Sequence, residues 1–522
     1  MFIIKSQRKR ALGLDEPLKH GSHRRPVTRR DFLAQGFTTG AASVMVPAAL
    51  SMMNPRQAKA ELHDDFDNML DTCGLTAGDR RIPFICFDLA GGANIAGSNV
   101  LVGQQGGQMD FLSTQGYSKL GLPGNMLPNN ATTNFVNTEF GLAFHSDSAF
   151  LRGMLEKTTT ATRARINGAV IAARSENDTG NNPHNPMYGL AKWGVRSRLL
   201  TLIGSQNSES GGNSMSPATF VNPEFRPTKI DRVSDVTGLV DTGDVATILS
   251  APDTVRTLET MYRITERKLA NVSTGLPNDA QVEERFKCAY LKSAGTVDMF
   301  SNPSTLNPSL DTVIQGLFGA DFGGDGEFQK TASVMKLVLE GNAGAGTISM
   351  GGFDYHTGDR ATGEARDLRA GRCIGACLEY AAAKNKPLML YVFSDGSLSS
   401  NGMIDDSAGG RGKGQWTGDN QQTAASFFLV FSPNGRPTLI GDGTAAAPRH
   451  QQLGFYSAGG DVVTSSSPAA NNVNLLVQTV ILNYMALHGQ SGAFNGIFGN
   501  ALGTGTALDG MTAFNPIVNG PV

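Results

Sequence analysis

The chain has 522 residues, of which 63 are glycine and 17% are charged, and its formal charge is −2 at neutral pH. That length can bury a large core, and the balance of apolar and charged residues excludes an intrinsically disordered polymer. Five cysteines are too few for a disulfide scaffold and read mainly as small buried apolar residues, although Cys73 and Cys86 are candidates to pair in an oxidising compartment.

The charge is unevenly spread. Residues 1–60 hold 11 Lys/Arg and 3 Asp/Glu, which leaves 33 basic against 43 acidic side chains in the rest. A body carrying about −10 has no electrostatic footprint for nucleic acid and no basic belt for anionic lipid.

In chain order, the first signal is Thr28-Arg29-Arg30-Asp31-Phe32-Leu33. A twin arginine followed by apolar residues is the address of the twin-arginine (Tat) export pathway. The Ala/Gly/Thr-rich stretch from Phe32 to Met53 follows it, broken by Gly36, Gly40 and Pro47, and is too weakly apolar to be a membrane span. Ala58-Lys59-Ala60 supplies the small-x-small pattern cut by signal peptidase. Residues 1–60 are therefore expected to be a leader handled by the Tat machinery and signal peptidase. Residues 61–522 form the mature body, with no transmembrane span and a periplasmic or extracellular destination. Tat carries folded proteins, and metal loading before export is one reason to fold first.

Short apolar runs recur through the body: Arg81 to Asp88, Ala169 to Ala172, Leu199 to Ile203, Thr347 to Met350, Leu388 to Phe393 and Ser426 to Phe431. Such runs suit strands buried on both faces. Helical patterns alternate with them, at Asp147 to Thr160, Glu364 to Lys384 and Asn472 to Leu487. Glu364 to Lys384 makes a crossover of the parallel type. Two further helices, Asp253 to Asn271 and Asp279 to Ala294, follow one another without a strand and predict a helical cap inserted at 250–300. The Gly-rich tail 489–522 reads as loops or a loosely packed end. The predicted fold class is α/β: a three-layer α/β/α domain on a mostly parallel central sheet.

Sites in open parallel sheets lie beyond the carboxyl ends of the strands. Three strands deliver a carboxylate there, Asp88, Asp354 and Asp395, and His356 lies two residues past Asp354. Carboxylates with an imidazole are a ligand set for zinc, manganese or magnesium. The alternative is that strand-end Asp residues cap turns. A polar loop, Ser175 to Gly189, places Asp178, Asn182 and His184 after a buried strand as candidate substrate contacts, or as a turn cluster and nothing more. Asp419, in Trp416-Thr417-Gly418-Asp419-Asn420, is a fifth candidate ligand just ahead of the strand at Ser426. His145 is expected to start a helix, His450 to sit in a loop, and His488 to meet a helix C-terminus as a dipole partner.

Phe87-Asp88-Leu89-Ala90-Gly91-Gly92-Ala93-Asn94, Gly351-Gly352-Phe353-Asp354-Tyr355-His356, Ser394-Asp395-Gly396-Ser397 and the loop around His184, in this order, resemble an uncharacterised family of Tat-exported bacterial proteins. That family is the domain of unknown function fifteen hundred and one, in the alkaline phosphatase/sulfatase superfamily. The resemblance implies an alkaline-phosphatase-like fold, and a divalent metal held by Asp88, Asp354, His356, Asp395 and Asp419. It implies substrate contacts from the region of Asn94 and His184. The chain departs from the family in three places: Asn420 follows Asp419 where the family has His, Asn94 replaces a Ser or Asp, and Asp395 replaces Glu with no arginine after it. Two functions follow as expectations. One is a metal-dependent hydrolase of phosphate or sulfate esters, on a small-molecule or polymer substrate. The other is a non-catalytic envelope protein that binds a ligand, a metal or a partner.

Overall fold

The computed structural model describes residues 81–518, apart from 129–133, 176–180, 198, 241–247, 271–272, 274–278 and 301–302. The twin-arginine motif, the cleavage pattern, Cys73 and Asp178 lie outside these residues. The chain divides into two compact units, one comprising Met1–Gly74 with Thr242–Ser301 and the other Leu75–Asp241 with Asn302–Val522.

The described part of the first unit is a helix pair, Ala251–Leu269 and Asp279–Met299. Ser250 caps the first helix by accepting from the Asp253 amide, and Lys287 links the two through Glu266 at 3.5 Å. Cys288 is disulfide-bonded.

The second unit contains the strands β1 (Phe84–Leu89), β2 (Val136–Asn137), β3 (Phe144–His145), β4 (Ile166–Ile171), β5 (Leu200–Gly204) and β6 (Thr228–Lys229). After the insertion come β7 (Ala343–Met350), β8 (Leu388–Ser394), β9 (Leu398–Asp405), β10 (Lys413–Asp419), β11 (Ser426–Phe431) and β12 (Gln452–Leu453). Eight of them form one sheet in the order β12-β4-β11-β8-β1-β7-β5-β6. The sheet is mostly parallel, and β11 alone runs antiparallel to both neighbours, β4 and β8. The central strands β1, β8 and β11 are buried at every residue, which is why they read as unbroken apolar runs rather than alternating ones.

Helices cover both faces. On one, Phe84, Tyr391, Phe393 and Phe428 of the sheet share a core with the helices Met187–Trp193 and Val473–Leu487. On the other, Phe427 meets Phe150 of the helix Ala149–Lys157, and the crossover helix Arg360–Ala383 packs on that helix. The packing is close enough that a Cβ at Gly371 would fall 2.3 Å from the Phe150 carbonyl oxygen.

The structure adds elements that periodicity did not mark and corrects five expectations, one of them for His450, which lies in the short helix Ala447–Gln451 and not in a loop. The helix Gly326–Leu339 precedes β7, and β9 and β10 form an irregular antiparallel hairpin in what reads as a Gly-rich loop. The tail is docked: Phe494, Leu502, Leu508 and Phe514 join the core, and the Ala513 amide donates to the Asn483 side chain at 2.7 Å. His145 lies in β3, while Ser148 caps the following helix. His488 accepts from the Ile82 amide at 3.0 Å and donates to the Tyr484 carbonyl at 2.8 Å. Burial lowers its pKa to about 4, so it is a neutral hydrogen-bonding link rather than a charged dipole partner. Cys86 is a free buried thiol, which removes the expected pairing with Cys73. Among the described residues no helix is long and apolar enough to cross a membrane.

Candidate metal centre

The carboxyl ends of β1, β7 and β8 are stitched together before any charged group is placed. The Ala90 amide donates to the Met350 carbonyl at 3.0 Å and the Phe353 amide to the Ala90 carbonyl at 3.1 Å. Ser394 Oγ accepts from the amides of Gly92 and Ala93 and donates to the Leu89 carbonyl. Past β7 the chain alternates. Phe353 and Tyr355 are buried, and Tyr355 accepts from the Asn94 amide at 3.0 Å while donating to Asp367 at 2.8 Å. With those two rings anchored inward, Asp354 and His356 face outward.

Asp419 reaches the same place from the hairpin. It ends β10, paired with Leu398. Asp354, His356 and Asp419 each offer one ligand atom, and all three atoms lie within 4.8 Å of one another. His356 Nδ1 is hydrogen-bonded to Asp354 Oδ1 and lies 3.5 Å from Asp419 Oδ1. The group is open, with side-chain exposures of 60% for Asp354, 31% for His356 and 43% for Asp419. Two carboxylate oxygens and one imidazole nitrogen suit a divalent cation, the imidazole favouring zinc or manganese over magnesium. Asn420, next to Asp419, is not one of the converging ligands. Its side chain caps the turn Gln421–Thr423 by accepting from the Gln422 amide at 2.9 Å.

Asp88 and Asp395 form a second, inner group, both fully buried. Asp88 Oδ2 accepts from the amides of Asn213 and Ser214 at 2.7 and 2.8 Å, and Oδ1 accepts from Ser214 Oγ at 3.2 Å. Asp395 accepts from the Gly91 amide and from Asn213 Nδ2, each at 2.8 Å. Burial and the Asp395 charge raise the Asp88 pKa to about 7, against the lowering effect of those donors. Gly91 touches both groups. Besides its bond to Asp395, a Cβ there would fall 2.5 Å from the Asp354 amide nitrogen, and its φ of +120° is one only glycine adopts freely.

The five expected metal ligands therefore share one rim but divide in two. Asp354, His356 and Asp419 converge, while Asp88 is held by two amides and a hydroxyl of the serine-rich loop 205–216, and Asp395 by that loop's Asn213 side chain and by the Gly91 amide. No periodic pattern marks that loop. Its signal is the run Ser210-Gly211-Gly212-Asn213-Ser214 directly after a buried strand, where a Cβ at Gly212 would fall 2.6 Å from Asp88 Oδ2.

The described expected substrate contacts, Asn94, Asn182 and His184, are buried. Asn182 donates to the Asp395 carbonyl at 2.6 Å, and Asn94 is bonded through its side chain to Ser98. His184 is 3% exposed and stacks on Phe393 at 5.9 Å. Both its ring nitrogens lack a partner among the described residues, and burial lowers its pKa to about 3.

Asp88 and His184 give opposite pH signatures. Asp88 holds its proton in the folded chain up to about pH 7 against an ordinary 3.8, so its stabilising contribution is full below 3.8 and is lost as pH rises through about 7. His184 stays neutral down to about pH 3 against an ordinary 6.5. Its contribution is full above 6.5 and is lost as pH falls toward 3. Each changes the slope of unfolding free energy by about 1.4 kcal/mol per pH unit between these limits. Denaturant unfolding between pH 4.5 and 6.5 (roughly the shared window) is expected to give a more positive slope for Asp88→Asn and a less positive one for His184→Phe.

No protein-family model matches the chain, and no curated protein matches it.

Proposed function

We propose that this chain is an exported member of the alkaline phosphatase/sulfatase-like superfamily, which holds a divalent cation at Asp354, His356 and Asp419 and hydrolyses a phosphate or sulfate ester. The observation that carries the reading is the convergence of three ligand atoms within 4.8 Å from two separate elements, the loop after β7 and the end of β10. A divalent ion there supplies Lewis acidity toward a phosphoryl or sulfuryl oxygen. The chain's own residues hold the frame: Gly91 fixes the distance between the two groups, and Asn213 locks the inner carboxylates. Arg29-Arg30 and the disulfide at Cys288 support export, since disulfides persist in oxidising compartments.

The second reading, a metal-binding protein without turnover, is favoured by one feature. Ser98 is fully buried and engaged by Asn94 and by Arg360 Nη2 at 3.0 Å, so its hydroxyl is not presented as a nucleophile. A screen of aryl phosphates and aryl sulfates with protein of measured metal content separates the two. Turnover that tracks metal content supports the hydrolase, and stoichiometric metal with no turnover on either ester class leaves the binding protein.

A further inference from the structure

The Gly351–Gly352 turn that leads to Asp354 carries a guanidinium on top of it. Arg366, half-buried on the first turns of the crossover helix, donates from Nη1 to the Gly351 carbonyl at 3.2 Å. Its head lies flat against Gly352. A Cβ at Gly352 would fall 2.2 Å from Nη1, 2.4 Å from Cζ and 2.8 Å from Nη2, and the φ there is +86°. Only a glycine at this position leaves room for that placement. Gly351, Gly352 and Asp354 are all exposed, so the head lies at the open rim two residues from the metal ligand.

Arg366 is also spare in charge. Its helix neighbours Arg360, Arg369 and Arg372 pair with Glu364, Asp325 and Glu156, whereas Arg366 has no carboxylate partner among the described residues. With Nε buried and one Nη1 N–H spent on a carbonyl, the head keeps its remaining Nη donors for a planar or tetrahedral oxyanion. Beside a cation at Asp354, His356 and Asp419, it completes a pair of positive charges on one edge of an otherwise acidic body.

We propose that Arg366 is the anion-recognising residue of this rim, binding the non-bridging oxygens of a phosphate or sulfate group delivered to the metal. The inference rests on the metal reading above and deepens it, by assigning specificity for a charged tetrahedral ester over a neutral one to a side chain that does not ligate the ion.

The test is calorimetric titration of the full chain, loaded with zinc or manganese, with inorganic phosphate and with sulfate. Arg366→Gln is expected to weaken binding of at least one of them by tenfold or more with metal content unchanged. Arg366→Lys, which keeps the charge and loses the fork, is expected to fall between. If wild type takes up metal but binds neither anion, or if Arg366→Gln binds as tightly as wild type, the assignment is overturned while the metal reading stands. If wild type takes up no metal yet anion binding is lost in Arg366→Gln, the metal reading fails and the assignment survives. A loss of both metal and anion in Arg366→Gln, with Arg366→Lys normal in metal and no weaker for the anions, would make the arginine a support of the turn and overturn its recognition role.

Discussion

Replacing His356 with alanine is expected to lower divalent-ion affinity by at least ~100-fold, the upper end of what disturbing even an outer partner of a metal ligand costs. The reason is the small number of donors. Three ligand atoms converge, and His356 is the central one, in contact with Asp354 and 3.5 Å from Asp419. Without it, two exposed carboxylates remain with no nitrogen between them, an arrangement that binds calcium-like ions weakly and zinc poorly. The loop itself should survive, because its anchors are Phe353 and Tyr355, which are buried. Titration with zinc and manganese, alongside a near-ultraviolet circular dichroism spectrum unchanged from wild type, checks both halves of this expectation.

Glu364→Ala is expected to be the most destabilising single substitution near the site, at about 3–5 kcal/mol, the range for removing one partner of a buried ion pair. Glu364 is 6% exposed and accepts from Arg152 and Arg360 at 2.7 Å and from Lys413 at 2.8 Å. Burial alone would raise its pKa, but Arg360 and Lys413 reverse that and hold it below its ordinary value. Its contribution is therefore present above about 4.5 and is lost as pH falls through the lower folded value. Lys413 has no exposed surface, and desolvation already depresses its pKa. Deleting Glu364 would leave Lys413 with the Asp147 carbonyl and carboxylate, and Arg360 stacked on Trp416 at 4.6 Å. Lys413 and Trp416 belong to β10, the strand that ends in Asp419, so the same network that stabilises the fold also seats a metal ligand. Denaturant unfolding at neutral pH measures the loss.

The alternation of strands and helices is legible in the sequence because each central strand is buried on both faces and each crossover helix is long. Asp354 and His356 are legible for a different reason: they follow a buried strand, they sit two apart, and Gly351-Gly352 marks a turn that needs glycine. The union of Asp419 with them is expected only from the resemblance to a family, and is not legible from periodicity or spacing. It depends on an irregular hairpin, β9–β10, whose register shifts at Gly414, Trp416 and Gly418 and so breaks the period-two pattern. The separation of Asp88 and Asp395 from the outer group is hidden for a similar reason, since most of the donors that hold them come from the loop 205–216, more than a hundred residues from either. Buried ion networks are the least legible feature. Glu364 reads as an ordinary helix residue until Arg152, Arg360 and Lys413 are brought around it.

The most direct test of the central claim is anomalous diffraction from crystals of the chain soaked in zinc or manganese. One strong peak per chain is expected within coordination distance of Asp354, His356 and Asp419. A peak seated instead on Asp88 and Asp395 with Asn213 displaced, or no peak on this rim at saturating metal, would contradict that claim.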